Sequence, residues 1–314
     1  MHIKHPLVII FSLASLSGCA TADTYSGSGT VIQGAATVEQ NNLFSCERGH
    51  SRLSPVGIKS SGQKQFVVPA EVQYDERYFA ADLYNECSGV TPRSLAELSV
   101  EDVAVVSIDP DGEVVTGYIF ADNYFELYVN GQLVAVDPVP FTPFNANIVR
   151  FKVSKPYELA IKLVDWEEHA GLGSESNRGK PFHPGDGGFI ASFSDGTLTG
   201  PDWYAQTYYT APVFDLSCLE EIGSRRVSER CSTASRDNAR GAYSVHWDIP
   251  TDWQTSQEYR TWPAATTYSE DEIGVNNKKA YMNFREIFGA AGASFIWSDN
   301  VVLDNLVLLR HRVE

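Results

Sequence analysis

The sequence predicts an all-β protein, a β-sandwich or jelly roll with a small loop-rich N-terminal segment. Phe, Trp and Tyr together make up 12% of the 314 residues, whereas only two residues are Met. Aromatic residues favour strands over helical bundles. Short runs of alternating apolar and polar residues recur along the chain, and turn-forming residues separate them, as is typical of a sandwich. With 43% hydrophobic residues, the chain can fill a packed core.

Turn residues separate most of the predicted strands. The sequence Asp109-Pro110-Asp111-Gly112 strongly favours a turn. Asn130-Gly131 predicts a type I′ hairpin between two alternating runs, and Ser194-Asp195-Gly196 ends a later strand. The predicted strands are residues 65–68, 103–108, 114–120, 124–129, 132–136, 149–153, 158–164, 189–193, 294–297 and 301–310. We therefore assign the sandwich to residues 101–314.

Two short helical segments interrupt this pattern. Ser94 and Glu97 stand at the spacing of a capping box, which predicts a brief helix there. Residues 283–288 predict another short helical segment. No long helix and no internal repeat is expected.

Residues 1–18 have the features of a secretory signal peptide. Lys4 supplies the charged start, and an apolar run too short to span a bilayer leads into Leu16-Ser17-Gly18-Cys19. This ending resembles the bacterial lipoprotein box, whose cysteine thiol is lipidated and becomes the new N-terminus. The alternative is an ordinary signal peptide cleaved after Ala20-Thr21-Ala22.

A lipidated Cys19 predicts a membrane-anchored protein. Because the next residue is Ala20 and not an acidic residue, resemblance to such lipoproteins implies the outer membrane, with the body facing the periplasm or the cell surface. Residues 19–45 are small and polar around Ser26-Gly27-Ser28-Gly29. They predict a flexible tether between the anchor and the body.

Four cysteines remain for the body: Cys46, Cys87, Cys218 and Cys231. An even number in an oxidising compartment predicts two disulfides, and sequence proximity favours Cys46–Cys87 and Cys218–Cys231. The alternatives are free buried thiols or a metal site, but the spacing of zinc-binding cysteine pairs is missing. Residues 46–100 are thus predicted to be a disulfide-bearing N-terminal segment.

The formal net charge is −16. A surface this acidic repels nucleic acid and anionic lipid headgroups, so we expect no nucleic-acid partner. It suits a soluble body that binds cations or neutral ligands.

Three stretches share a pattern with a known fold. The first is the hairpin of residues 117–131, with Ala121-Asp122 at its start and Val129-Asn130-Gly131 at its end. The second comprises Phe295-Ile296-Trp297-Ser298 and the run from Asp304-Asn305 to Arg310. The third is Trp262-Pro263-Ala264, together with Asp299 and Asn300.

These stretches resemble the galactose-binding-like jelly roll found beside glycoside hydrolase domains, including those of rhamnosidase-type enzymes. The resemblance covers roughly residues 100–314. It implies a β-sandwich that binds carbohydrate. The chain departs from the family in an insertion over residues 165–188, in its unmatched segment before residue 100, and in lacking a hydrolase domain. The fold is therefore better supported than the ligand, because this sandwich serves many functions.

The insertion is the densest polar stretch of the chain. Its carboxylates and imidazoles are interspersed with glycines, a composition that can wrap a cation. Calcium would use the carboxylates and backbone carbonyls, and a transition metal would recruit the histidines. Calcium is the expected ion, because oxygen ligands outnumber imidazoles. The alternative is a solvated loop whose glycines permit turns. The candidate metal ligands are Asp165, Glu168, His169, Glu175, His183 and Asp186.

A second constellation suits carbohydrate. Sugars stack their C–H faces on aromatic rings, and carboxylates and amides bind their hydroxyls. The candidate ligand-binding residues are Trp166, Trp203, Tyr204, Asp202 and Gln206, beside Tyr208 and Tyr209. In the alternative interpretation, Trp203 caps the core and the two tyrosines lie in a strand.

Three functions follow as hypotheses. The first is a lipid-anchored protein that binds glycans, with a structural calcium ion. The second is a metal-assisted hydrolase that uses residues 165–188, and the third is a structural or adhesive surface protein. No catalytic residue is assigned, because acidic pairs abound in so acidic a chain and no nucleophile motif occurs.

Overall fold

The computed structural model describes residues 25–46, 52–176, 182–236 and 239–314. Strands far outnumber helical residues in this part of the chain, and most of them belong to two large sheets. The all-β prediction is confirmed. The predicted signal peptide and Cys19 lie outside the described residues. Within those residues, no helix has both the length and the apolar character needed to cross a membrane.

The first sheet has seven strands. They are β1 (Thr30–Gln33), β8 (Tyr124–Val129), β9 (Gln132–Val136), β11 (Tyr157–Val164), β13 (Tyr204–Val213), β16 (Tyr243–His246) and β19 (Asp304–Val313). Their order across the sheet is β1-β16-β13-β19-β11-β8-β9. The β8–β9 connection is the predicted Asn130-Gly131 turn, in which both residues have a positive φ, as a type I′ turn requires.

The second sheet also has seven strands. They are β5 (Ala81–Tyr84), β6 (Val106–Ser107), β7 (Glu113–Asp122), β10 (Ala146–Val153), β12 (Gly188–Phe193), β17 (Thr266–Tyr268) and β18 (Phe295–Trp297). The order is β17-β18-β12-β7-β10-β5, and β6 pairs in parallel with β10. Of the strand predicted at residues 103–108, only Val106–Ser107 forms.

Two small sheets and several short helices complete the fold. The strands β2 (Thr37–Gln40), β3 (Val56–Ser61) and β4 (Lys64–Val68) form one small sheet, and β14 (Glu220–Ile222) and β15 (Arg225–Val227) form the other. The one α-helix of the described residues is α1 (Lys279–Met282), and the 3-10 helices are Glu76–Tyr78, Leu95–Glu97, Val100–Asp102, Leu216–Cys218, Gln257–Thr261, Arg285–Ile287 and Gly289–Ala291.

The main core lies between the two large sheets. Alternate residues of β7, β8, β11, β12 and β19 point into it, among them Phe125, Leu163 and Phe189, and Trp203 and Trp297 close it. A second apolar cluster covers the other face of the first sheet, where Tyr124 and Tyr209 pack with residues of the small sheets and loops. The first sheet is therefore buried on both faces, which explains why β8 has no exposed residue.

The N-terminal residues differ from the predicted tether. β1 pairs with β16 at the edge of the first sheet, from Thr30↔His246 to Gln33↔Tyr243, and β2 pairs with β3. The tether prediction is wrong for these residues. An edge strand is held mainly by backbone hydrogen bonds, so the small polar composition of this segment gave no sign of a strand.

Both predicted disulfides are confirmed. Cys46 is bonded to Cys87, and Cys218 is bonded to Cys231. The first joins the N-terminal segment to the residues that follow β5, and β5 itself belongs to the second sheet. Residues 52–100 thus contribute a strand to the second sheet and pack against the sandwich.

Strand ends define what we call the acidic end of the sandwich. β7 ends there at Asp122, β11 ends one residue before Asp165, and β12 begins two residues after Asp186. The pairing Gly188↔Asp122 fixes two of these strand ends side by side. The backbone amide of Asn123 donates to Val164 O (3.2 Å), and this hydrogen bond places the end of β11 beside the other two strand ends.

Candidate functional site

The inserted segment after β11 is held to the body by its own backbone and by side chains. Glu175 and His183 form a two-bond bridge, with N–O distances of 2.8 and 3.0 Å. Glu168 accepts hydrogen bonds from the amide and the hydroxyl of Ser176 (2.6 and 2.8 Å). His169 Nδ1 lies 2.8 Å from Ser174 O. The amides of Asp165 and Gly187 donate to Asn305 O (3.0 Å) and Val301 O (2.7 Å), so residues 165–176 and 182–187 form a loop that is anchored at both ends.

Arg52 is a central partner of this loop that sequence reasoning missed. Its Nε lies 3.3 Å from Glu168 Oε1, and its Nη2 lies 2.9 Å from Glu175 Oε2. The guanidinium also packs over the Phe141 ring, 4.6 Å from its centroid. No sequence signal links Arg52 to acids more than a hundred positions away, because the pairing depends on where the N-terminal segment crosses the sandwich.

Three carboxylates lie near enough at the acidic end to influence one another electrostatically: Asp122, Asp165 and Asp186. Asp122 and Asp165 are 4% and 5% exposed. Burial and the negative charges of Asp186 and Glu175 raise the pKa of Asp122 well above its usual range. Burial, followed by the charge of Asp122, does the same to the pKa of Asp165. Burial raises the pKa of Asp186 to about 6. Sequence reasoning included Asp165 and Asp186 and missed Asp122.

The six predicted metal ligands do not form one coordination sphere. Glu168 and Glu175 are engaged by Arg52, and His183 Nε2 lies 3.4 Å from Glu175 Oε1. The His169 ring packs edge-on against Phe182, with centroids 3.9 Å apart. Throughout the described part of the chain, no three His, Cys, Asp or Glu side chains stand at the mutual distances of a preformed metal site.

Most of the aromatic rings that the sequence offered for stacking on a sugar are buried. Trp166 is 1% exposed and Trp203 0%, while Tyr208 and Tyr209 lie in β13 and are buried. Trp203 Nε1 donates to Leu198 O (2.9 Å), so the indole closes the core. These rings cannot offer a face to a sugar. A tryptophan beside loops is indistinguishable in sequence from one that caps a core, and here the core interpretation is correct.

The two polar residues predicted to bind carbohydrate, Asp202 and Gln206, line two different cavities. Gln206 lines a cavity of about 270 Å³ between β13, β15 and the loops around Pro263 and Asp299. Asp202 lines a wider cleft of about 570 Å³ near the C-terminus. There His311 stacks on Trp203, with ring centroids 4.7 Å apart, and burial lowers the pKa of His311. Tyr204, which is half-buried, packs edge-on against Tyr259.

The smaller cavity, which we call the Gln206 cavity, has a mixed polar wall. Gln206 Nε2 donates to Ser224 O (2.5 Å), which fixes the orientation of the amide. Arg225 Nη2 lies 3.2 Å from Asp299 Oδ2. The Asp299 side chain is 9% exposed, and its Oδ1 accepts no hydrogen bond from any described residue. Burial raises the pKa of Asp299, and Arg225 opposes the rise.

Two further features shape the Gln206 cavity. Arg226 packs over the rings of Tyr208 and Trp247, 4.3 and 4.8 Å from their centroids, and donates to Thr207 O. Pro263 and Ala264 supply a small apolar surface. The cavity therefore combines an amide, two guanidinium groups, an under-bonded carboxylate and an apolar wall. Residues far apart in sequence meet here.

Comparison with known proteins found no matching family model, no matching curated protein and no matching solved structure. The resemblance to galactose-binding-like jelly rolls stays a prediction.

Proposed function

We propose that this protein is an exported, lipid-anchored β-sandwich that binds carbohydrate in the Gln206 cavity. The observation that carries the proposal is the convergence of Gln206, Arg225 and Asp299 on one cavity. These are planar polar side chains of the kind that bind vicinal hydroxyls through paired hydrogen bonds.

The unpaired Oδ1 of Asp299 favours a ligand that donates hydrogen bonds. A buried acceptor without a donor costs about 1–3 kcal/mol, and a sugar hydroxyl would remove that cost. Asp299 is held in place by Arg225, so the carboxylate is preorganised. Preorganised polar groups lose little entropy when a ligand binds.

The size of the cavity limits the ligand. A volume of about 270 Å³ lies just below the usual range for small-molecule pockets, which begins at roughly 300 Å³. One sugar ring fits such a space, with the rest of a glycan outside. The apolar surface of Pro263 and Ala264 offers a contact for the C–H face of the ring.

The compartment supports the same proposal. Two disulfides belong to proteins that fold in an oxidising environment, where surface glycans and polysaccharides are found. A net charge of −16 disfavours nucleic acid and leaves neutral glycans as suitable partners.

A glycan array with the full-length protein tests the proposal. We expect binding to a restricted set of glycans, and at least tenfold weaker binding by Asp299→Asn and Gln206→Ala. Asp202→Asn is the matched control, because Asp202 lines the other cleft and its side chain is 68% exposed. Loss of binding in Asp202→Asn with full binding by Asp299→Asn would move the site to the wider cleft.

Two other results would favour the other hypotheses. An array without signal, together with a protein partner recovered by pull-down, would indicate an adhesive or structural role. Stoichiometric zinc or iron in the purified protein would indicate the metal-assisted hydrolase.

A further inference from the structure

The first described residues of the chain are fastened to the ribbon formed by β14 and β15. Glu221, in β14, accepts hydrogen bonds from the amide and the hydroxyl of Ser28, both 2.9 Å long, and from the hydroxyl of Tyr25. The Tyr25 ring packs edge-on against Trp247, with ring centroids 6.5 Å apart. Trp247 Nε1 donates to the same carboxylate (2.8 Å). The chain therefore enters the folded body beside this ribbon.

A lipid on Cys19 would keep the ribbon close to the bilayer. Five residues, 20–24, separate Cys19 from Tyr25. A fully extended chain covers at most ~3.6 Å per residue, so the six steps from Cys19 to Tyr25 reach at most about 22 Å. That length is less than the ~30 Å thickness of the hydrocarbon core of a bilayer. The ribbon is therefore among the parts of the body that lie nearest to the membrane.

The tip of the ribbon exposes an apolar side chain. Ile222 is 61% exposed, the largest exposed fraction among the large hydrophobic side chains of the described residues. Gly223 follows it with a φ of +63°, and a Cβ there would meet no atom within 4 Å, so the turn projects into open space. A single exposed isoleucine is ordinary on a protein surface. Ile222 is distinguished by its position, because it adjoins the residue that holds Tyr25 and Ser28.

The segment that forms the ribbon is also the basic part of an acidic chain. Residues 220–240 contain five arginines and four acidic residues, a balance of +1. The whole chain has 24 basic and 40 acidic residues, so the remainder has 19 and 36, a balance of −17. A body with this distribution turns its basic segment toward an anionic surface, because the remainder is repelled. The five arginines are Arg225, Arg226, Arg230, Arg236 and Arg240.

Two of these arginines are open to solvent. The side chains of Arg230 and Arg225 are 60% and 46% exposed. Arg230 pairs with Glu220, and Arg225 pairs with Asp299. Exposed ion pairs contribute little in water, and a guanidinium has five N–H donors, so both arginines keep donors for phosphate oxygens. Arg226 differs, because it packs inward over two aromatic rings.

We propose that the β14–β15 ribbon is the surface through which the body contacts the membrane, with Ile222 in the headgroup region and Arg230 on lipid phosphates. This inference rests on the proposed lipid anchor, which brings the ribbon to the bilayer. The partner is a phospholipid surface, because the short connection to Cys19 confines the ribbon there and its charge complements anionic headgroups. The Cys218–Cys231 disulfide closes the base of the ribbon, so the contact would orient the whole sandwich.

A fluorescent probe on the ribbon tests this surface. The full-length, lipidated Ile222→Cys protein is labelled with an NBD maleimide and reconstituted in vesicles of phosphatidylcholine and phosphatidylglycerol. We expect blue-shifted emission and about twofold or stronger quenching by doxyl-labelled lipid, since apolar groups of interfacial segments lie ~5–10 Å into the headgroup and acyl boundary. Arg230→Glu in the labelled protein should weaken the quenching, because a phosphate contact is replaced by repulsion.

Val114→Cys, labelled in the same way, is the matched control. Val114 is 43% exposed and lies at the start of β7. The ribbon packs at the opposite end of the sandwich, where the Ser228 hydroxyl donates to Asp304 at the start of β19 (3.0 Å). The probe at position 114 should therefore keep the emission of a water-exposed dye and show little quenching.

The outcomes separate this surface from the anchor. If the natural protein does not float with the vesicles in a density gradient, the anchor is refuted and this inference with it. If the protein floats and the probe at position 222 still reports water, the anchor stands and the ribbon surface is overturned. Equal quenching at positions 222 and 114 also overturns it, because the body would then have no preferred orientation. Unchanged quenching in Arg230→Glu would remove Arg230 from the contact.

Discussion

At the scale of single residues, buried polar groups join parts of the chain that are distant in sequence. Asp304 is the clearest case. Its carboxylate accepts hydrogen bonds from the hydroxyls of Thr210 (2.6 Å), Ser228 (3.0 Å) and Ser298 (2.7 Å). These residues belong to β13, the segment after β15 and the loop after β18. Despite the three donors, burial raises the pKa of Asp304 to about 7.

We predict a pH-dependent contribution of Asp304 to stability. The unfolded carboxyl titrates near pH ~4 and the folded one near pH 7, so between these values the folded state holds a proton that the unfolded state has lost. The free energy of unfolding should therefore fall as pH rises through this window, by up to ~1.4 kcal/mol per pH unit. Asp304→Asn cannot ionise and should show a flatter profile. Urea unfolding of both proteins at pH 4.5, 5.5, 6.5 and 7.5 measures this, and equal slopes would contradict it.

At the scale of elements, short segments with little apolar surface are fixed by cross-links. The β14–β15 ribbon is three residues long on each side, and the Cys218–Cys231 disulfide closes its base. Glu221 ties the ribbon to the rest of the protein by accepting from Trp247 Nε1 (2.8 Å) and from the Ser28 amide (2.9 Å). The same ribbon supplies Arg225 to the Gln206 cavity.

We predict that removing this disulfide destabilises the protein. The loop-entropy model gives ~3 kcal/mol for a loop of this length and ~4 kcal/mol for the Cys46–Cys87 loop. The double variant Cys218→Ala/Cys231→Ala should therefore lower the free energy of unfolding by about 3 kcal/mol, measured by urea titration without reductant. The matched variant is Cys46→Ala/Cys87→Ala, with the larger expected loss. A change below ~1 kcal/mol in either would show that the cross-link constrains little.

At the scale of the whole molecule, the described residues from Tyr25 to Gln40 belong to the folded body. β1 forms an edge of the first sheet, and Ser28 and Tyr25 both contact Glu221. If the chain is anchored through Cys19, few residues separate the anchor from the sandwich. The body would then lie close to the membrane, and the acidic balance of the chain, whose net charge is −16, would repel an anionic surface.

We predict that Cys19 carries the anchor. The natural protein should partition into the detergent phase, because more than one acyl chain gives lasting attachment. Cys19→Ser should move it to the aqueous phase, since a hydroxyl cannot take the lipid through a thioether. A Cys87→Ser variant is the control, because it removes a cysteine of the body. Detergent partition of Cys19→Ser would rule out the lipoprotein interpretation.

Local patterns alone determined the fold class, the main strands and both disulfides. The Asn130-Gly131 turn and the alternating runs around it specify a hairpin by backbone geometry, and the close spacing of the cysteines limits their pairing. Local patterns also placed Asp165 and Asp186 in one candidate site, since both lie in a single polar segment.

Only the tertiary structure decided what is buried and which distant residues meet. Both faces of the first sheet are covered, so Trp166 and Trp203 are core residues despite their neighbouring loops. Asp122 reaches Asp165 because β7 and β11 end at the same edge of the sandwich, and Arg52 reaches Glu168 because the N-terminal segment crosses there. Burial and long-range pairing depend on how the sheets stack, which no local run of residues encodes by itself.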